Sequence, residues 1–287
     1  MQKAKKRVFS VTAVLLAVLV ALTALLPTAG AAQAATMRSK YTGKSYTHNA
    51  RFNKLEVLNG VDISAWQEKV NWKKIKNDGI DFAILRAGYG KKANQEDAYF
   101  ATNFKNATAA GLPVGIYWYS YAKSVADVEK EARLCLQVLG SRTLDLPVFY
   151  DLEESSQLNK GKAFCTQLVE HFCSIIAAAG HTPGLYMSRS PLLDYIEQET
   201  RGRYALWVAE YGSKTCKYDG DYLMWQYADN GKVAGVNGNT DMDFLYGNKN
   251  SLPGSATLLK SKTYTGKAIT PAPTVTGEDG QPLKADK

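Results

Sequence analysis

From about residue 57 to residue 245 the chain alternates short apolar runs with stretches in which apolar residues recur every three or four positions. The runs at 57–63, 81–87, 113–121 and 183–187, and the run that ends at Asp151, are bounded by Gly, Pro or acidic residues. They read as buried strands. Helical patterns lie between them: 72–77 closed by Gly79, 98–110 stopped by Gly111, 125–139 with Ser124 as cap and Gly140 beyond, and 163–179 closed by Gly180. A short helix over 192–198 follows the fifth strand. Beyond it, 205–209, 222–227 and 240–245 read as strands joined by loops without helical period. Such alternation predicts parallel βαβ units, and eight strands suffice to close a barrel. The expected architecture is one α/β barrel domain over residues 56–248, its last third stripped of helices.

Both flanks depart from this pattern. Lys3, Lys5, Lys6 and Arg7 precede an apolar or small run over 9–26, then Pro27 and a small-residue stretch containing Ala32-Gln33-Ala34. That is the order of a secretory signal peptide with an A-x-A cleavage site. Residues 1–35 are therefore expected to be removed, and the protein to be secreted or wall-associated. Uncleaved, the same run is long enough for a membrane anchor. Residues 36–55 are polar, lack apolar period and read as a linker. Residues 249–287 form a Thr/Pro/Lys-rich tail in which Tyr264-Thr265-Gly266-Lys267 repeats Tyr41-Thr42-Gly43-Lys44, which fits the start of a truncated wall-associated repeat. Losing the leader takes four positive charges from the formal +8 and leaves about +4. No concentrated basic stripe is present, which argues against nucleic acid as a partner.

The 287 residues are 45% hydrophobic and 22% charged, enough apolar content for one barrel-sized core. Four cysteines in an exported chain raise the question of disulfides. Cys165 and Cys173 sit on one predicted helix, about 12 Å apart along its axis, too far to pair with each other. Bridges involving Cys135 and Cys216, or buried free thiols, both remain open. The absence of C-x-x-C and a total of three histidines speak against zinc, and no Gly-rich phosphate loop or other cofactor motif appears.

The chemistry concentrates in Leu146-Pro147-Val148-Phe149-Tyr150-Asp151-Leu152-Glu153-Glu154, a buried strand that ends in carboxylates. Side chains alternate along a strand, so Asp151 and Glu153 face the same way with Cα atoms roughly 6–7 Å apart. Two confined carboxyls do not ionise together, so one becomes a proton donor. Strand C-termini share one face of a parallel barrel. That scheme adds Asp62 from the first strand and Asp241 or Asp243 from the eighth. Aromatic residues cluster at the same ends, and rings with a polar handle suit the apolar face and hydroxyl rim of a sugar. Carboxylates with aromatic platforms point to glycoside cleavage.

Several motifs carry a resemblance. Gly60-Val61-Asp62-Ile63-Ser64 with Trp66-Gln67, Arg86-Ala87-Gly88-Tyr89-Gly90, Gly115-Ile116-Tyr117-Trp118-Tyr119, Tyr150-Asp151-Leu152-Glu153, Leu206-Trp207-Val208-Ala209, Trp225-Gln226-Tyr227 and Gly238-Asn239-Thr240-Asp241 occur in this order. The chain resembles glycoside hydrolase family 25, the Chalaropsis-type lysozymes or N-acetylmuramidases, over about residues 58–246. The resemblance implies a modified TIM-like barrel of eight strands and about five major helices, (β/α)5(β)3. It also implies cleavage of the β-1,4 bond between N-acetylmuramic acid and N-acetylglucosamine in peptidoglycan, with no cofactor or metal. By position Glu153 matches the general acid and Asp151 the carboxylate at the anomeric carbon. Asp62 and Asp241 match two further active-site acids. Tyr89, Tyr119, Tyr150, Tyr186, Trp207 and Gln226 are the candidate sugar contacts. Ala87-Gly88-Tyr89-Gly90 departs from the Thr-Glu-Gly or Ser-Glu-Gly of many members, so an acid is missing there. The expected chemistry has neutral Glu153 protonating the glycosidic oxygen while Asp151 stays ionised. Two rival classes are a silent wall-binding module and a metal-dependent hydrolase with Asp62, Asp151, Glu153, Asp241 and Asp243 as oxygen ligands.

Overall fold

Eight strands close into a barrel: β3 (Glu56–Ile63), β4 (Phe82–Tyr89), β5 (Val114–Tyr119), β6 (Val148–Asp151), β7 (Pro183–Ser188), β8 (Ala205–Ala209), β9 (Met224–Gly231) and β10 (Thr240–Gly247). This computed structural model describes residues 34–248. Most of the expected leader, and the tail beyond Asn248, lie outside the described residues. Strands β3 to β9 run parallel, each hydrogen-bonded to the next. Strand β10 is antiparallel to both of its neighbours, β9 and β3. The wholly parallel scheme therefore fails at the eighth barrel strand. Its short loop from β9, with no crossover helix, leaves only the antiparallel direction open.

The helices α1 (Trp72–Asn77), α2 (Phe100–Ala109), α3 (Val125–Leu139), α4 (Ser155–Leu158) and α5 (Lys162–Ala178) cover the outside of the first half of the barrel, and α6 (Arg189–Tyr195) and α7 (Gln198–Arg203) follow β7. Their ends follow from local chemistry. Helix α3 starts where Ser124 Oγ accepts from the Asp127 amide at 3.2 Å, and it ends at Gly140 with φ +59°.

Alternation along each strand splits the core in two. Phe82, Ile84, Phe149, Trp207, Met224 and Leu245 fill the barrel interior. Ala83, Leu85, Ile116, Tyr150 and Leu185 face outward to the helices. Gly60 makes room for the interior, since a Cβ there would lie 2.1 Å from the Phe82 ring.

Among the described residues no helix joins β8 to β9 or β9 to β10, so the outward rings of β9 and β10 need another cover. Residues 36–52 supply it. This stretch, expected to be a polar linker, is folded instead. It contains the hairpin of β1 (Thr36–Arg38) and β2 (Ser45–Thr47) and a turn of 3-10 helix at Ala50–Phe52. The Tyr46 ring packs edge-on at 4.5 Å from Tyr227 and 5.7 Å from both Trp225 and Phe244. Phe52 stacks on Tyr246 at 3.8 Å, and His48 Nδ1 meets the Tyr246 hydroxyl at 2.9 Å. Three aromatic rings, Tyr41, Tyr46 and Phe52, are enough to bury the segment although its composition is polar. The four cysteines are free and buried, in α3, in α5 and in the loop before β9.

Candidate active site

The mouth of the barrel is a small cleft of about 150 Å³ lined by Asp62, Asp151, Glu153 and Asp241 with Trp66, Arg86, Tyr117, Tyr119, Tyr186, Trp207 and Gln226. The parallel strands bring their C-terminal ends here. Because β10 runs the other way, it contributes its first residues: Asp241 pairs in register with Asp62, while Asp243 pairs with Gly60 one layer deeper. That direction separates two acids that spacing along the chain leaves equivalent. Asp241 faces the cleft, and Asp243 is fully buried beneath it.

Asp151 and Glu153 form a hydrogen-bonded carboxyl pair. Burial raises Asp151 above the usual carboxylate range, and the protein crowded around its carboxyl raises Glu153, although that residue is exposed. For Asp151 the Glu153 charge and the shared hydrogen bond push further upward, with Arg86 opposing. For Glu153 that same hydrogen bond acts downward. Two carboxyls this close do not ionise together. Asp151 is the deeper of the two, 3% exposed, and its Oδ1 has no hydrogen-bond partner among the described residues.

Asp62 is raised by burial and by the charges of Asp241 and Asp243, against a hydrogen bond from Gln226 Nε2 at 2.6 Å. Gln226 is fixed in turn: its Oε1 accepts from the Tyr186 hydroxyl at 2.6 Å and from Tyr211. Burial and the charges of Asp229 and Glu153 push Asp241 up to about 6. Asp243 is raised by burial although Trp207 Nε1 donates to its Oδ1 at 2.8 Å. Arg86 is the cation among these acids, held by Nε to Asp97 Oδ2 at 2.8 Å. Asp97 also accepts from the Ala65 amide at 2.9 Å, which ties the Arg86 support to the turn carrying Trp66. In that turn Ser64 and Gln67 form a reciprocal capping box, so Ser64 rather than Asp62 caps it. Trp66 is left 81% exposed at the rim.

Two expected sugar contacts lie elsewhere. Tyr150 is fully buried on the outer face of β6, stacked on Phe172 of α5 at 4.5 Å, with its hydroxyl 2.6 Å from Ser120 Oγ. The alternation that directs Asp151 inward directs Tyr150 outward. Tyr89 is half-buried on the rim, beneath the Arg86 guanidinium at 5.6 Å, and does not line the cleft. Arg86 is a further site residue, marked in the sequence only as the charge within the apolar run 82–87. An unmarked group is Glu131 of α3. It is fully buried and accepts from Ser120 Oγ at 2.7 Å and the Tyr121 amide at 2.9 Å, and burial pushes its carboxyl up to about 7. It fixes the end of β5 behind Tyr119.

Comparison with known proteins agrees with this geometry. The profile of Glycosyl hydrolases family 25 matches residues 61–236. The uncharacterized protein YegX of Escherichia coli O157:H7 is 30% identical over 206 residues, 68% of this chain and 72% of its own. Lysozyme M1 of Streptomyces globisporus is 26% identical over 66% of this chain and 68% of its own. Among solved structures, the CTP1L endolysin superposes with a TM-score of 0.59 at 27% identity, covering 66% of each chain. The chain belongs to glycosyl hydrolase family 25 and is a glycoside hydrolase.

Proposed function

We propose that this chain is an exported peptidoglycan N-acetylmuramidase, cutting the β-1,4 bond between N-acetylmuramic acid and N-acetylglucosamine by carboxyl acid catalysis. The observation that carries this reading is the Asp151–Glu153 carboxyl pair, Asp151 buried and Glu153 open to solvent, at a mouth lined by acids and aromatic rings. The lysozyme name of one relative supports the substrate, and the basic-then-apolar order of residues 3–34 supports export.

On this reading the glycosidic oxygen meets Glu153, and the 2-acetamido group of the sugar meets Asp151. Asp151 Oδ1, which has no hydrogen-bond partner among the described residues, accepts the acetamido N–H. That bond and the Arg86 charge favour ionised Asp151, which leaves the proton on Glu153 for delivery to the leaving oxygen. Asp151 then balances the positive charge at the anomeric carbon, directly or through an oxazolinium formed by the acetamido group. A water completes the hydrolysis and returns a proton to Glu153. Asp62, oriented by Gln226, and Asp241 hold the sugar hydroxyls, while Trp66, Tyr119, Tyr186 and Trp207 supply ring faces.

Digestion of purified peptidoglycan, with the new reducing ends identified by mass spectrometry, tests this. Muramic acid ends are expected, and Glu153→Gln should lose roughly 10²-fold or more of the rate. Glucosamine ends would overturn the bond assignment. Wall binding without cleavage would reduce the mouth to a glycan-holding site.

A further inference from the structure

A larger recess, of about 730 Å³, opens beside the mouth between the β1–β2 hairpin and the barrel. Its size falls within the range of small-ligand sites, about 300–1,000 Å³. Lys44 and Thr47 line it from the hairpin, Tyr211 and Lys214 from the loop after β8, and Asp229 and Asn230 from β9. The Thr47 amide donates to the Lys214 carbonyl at 2.7 Å, joining the two walls. The hairpin wall precedes the family match, which begins at residue 61. The recess is thus built partly from residues outside that match.

Two contacts connect it with the catalytic cleft. The Tyr211 hydroxyl donates to Gln226, the residue that holds Asp62. The Asp229 charge acts on Asp241. Tyr211, 44% exposed, thus lines the recess and reaches a residue that lines the cleft, so one side chain borders both. The recess carries both signs of charge. Lys44, Lys214 and Asp229 are exposed, and none has an ion-pair partner among the described residues.

Neutral sugar hydroxyls have no use for two ammonium groups and a carboxylate. A short peptide bearing carboxylates and an amine uses all three. Taking the peptidoglycan reading above as its basis, we propose that this recess is a subsite for the peptide stem carried by the muramic acid lactyl group. Lys44 and Lys214 take its carboxylates, and Asp229 takes the amine of its diamino acid.

The test compares peptidoglycan strands carrying their stems with strands stripped of them by an amidase, using the wild type and a Lys44→Ala/Lys214→Ala double variant. The wild type should favour stem-bearing strands in kcat/KM. The double variant should lose about threefold to tenfold of that ratio, the range for two exposed ion pairs. An unchanged ratio, or a wild type without preference, overturns the subsite. In parallel, titration calorimetry with a synthetic muramyl peptide containing an acidic residue and a diamino acid should show binding to the wild type and weaker binding to the variant. Equal binding to both, or none to either, also overturns it. If neither kind of strand is cut, the muramidase reading fails by itself, and the calorimetry still decides the recess.

Discussion

Glu131 gives a prediction whose size follows from the structure. Its carboxyl titrates near 4.5 when solvated and is pushed up to about 7 by burial in the fold. Below about pH 4.5 both states hold the proton and no stability is lost. Between 4.5 and 7 the unfolded chain releases the proton while the folded chain keeps it, so stability falls as pH rises. Above 7 the loss is complete, on the order of 3 kcal/mol at 1.36 kcal/mol for each pH unit of displacement. Glu131→Gln stays neutral at every pH and keeps an oxygen for the Tyr121 amide. Urea unfolding between pH 4 and 8 is the assay. The wild type loses stability faster than the variant across the window, and the two curves diverge by about 3 kcal/mol at the top. Asp62, Asp151 and Asp243 are also raised, so both proteins decline, and the reading lies in their difference. Parallel curves would show that Glu131 is already ionised in the fold and would refute the reasoning.

Three further outcomes follow from the same geometry. Asp243→Asn keeps an acceptor for Trp207 but removes a charge that raises Asp62; the acidic limb of the activity profile should move to lower pH, and an unmoved limb would disconnect the buried acid from the cleft. Trp66→Ala should raise KM about twofold to tenfold, the worth of one ring face, and leave unfolding unchanged within about 0.5 kcal/mol because the ring is 81% exposed. Gly60→Ala should cost about 1–3 kcal/mol or more by forcing its methyl into the Phe82 ring, read as a lower melting temperature with unchanged reducing-end chemistry.

How far the site was legible depended on the range of the physics involved. Alternation is a local rule, and within residues 146–154 it selects Asp151 and Glu153 for the interior. The same rule excludes Tyr150, whose aromatic character weighed more than its parity in the sequence reading. Caps and closing glycines are local too, and α1 and α3 begin and end where these signals place them. Glu131 was not legible, because one acid on an amphipathic helix reads as solvated until Ser120 and the Tyr121 amide are found to face it.

Strand direction is not a local property. Nothing in residues 240–245 distinguishes a strand that ends at the mouth from one that begins there. Both directions put Asp241 and Asp243 on the same side, and only the antiparallel one puts Asp241 uppermost. Direction follows from the connection: a crossover helix returns the chain to run parallel, and the short loop between β9 and β10 turns it back. The same missing crossover leaves Trp225, Tyr227, Phe244 and Tyr246 facing outward without a cover of that kind. A buried strand must have both faces covered, so a barrel with a helix-poor last third needs an extra layer from elsewhere in the chain. Tyr41, Tyr46 and Phe52 provide it from a segment whose polar composition hides them. Loss of a helix in one part of the sequence thus recruits a hairpin from another, and the recess beside the mouth exists because that hairpin lies where a helix otherwise would.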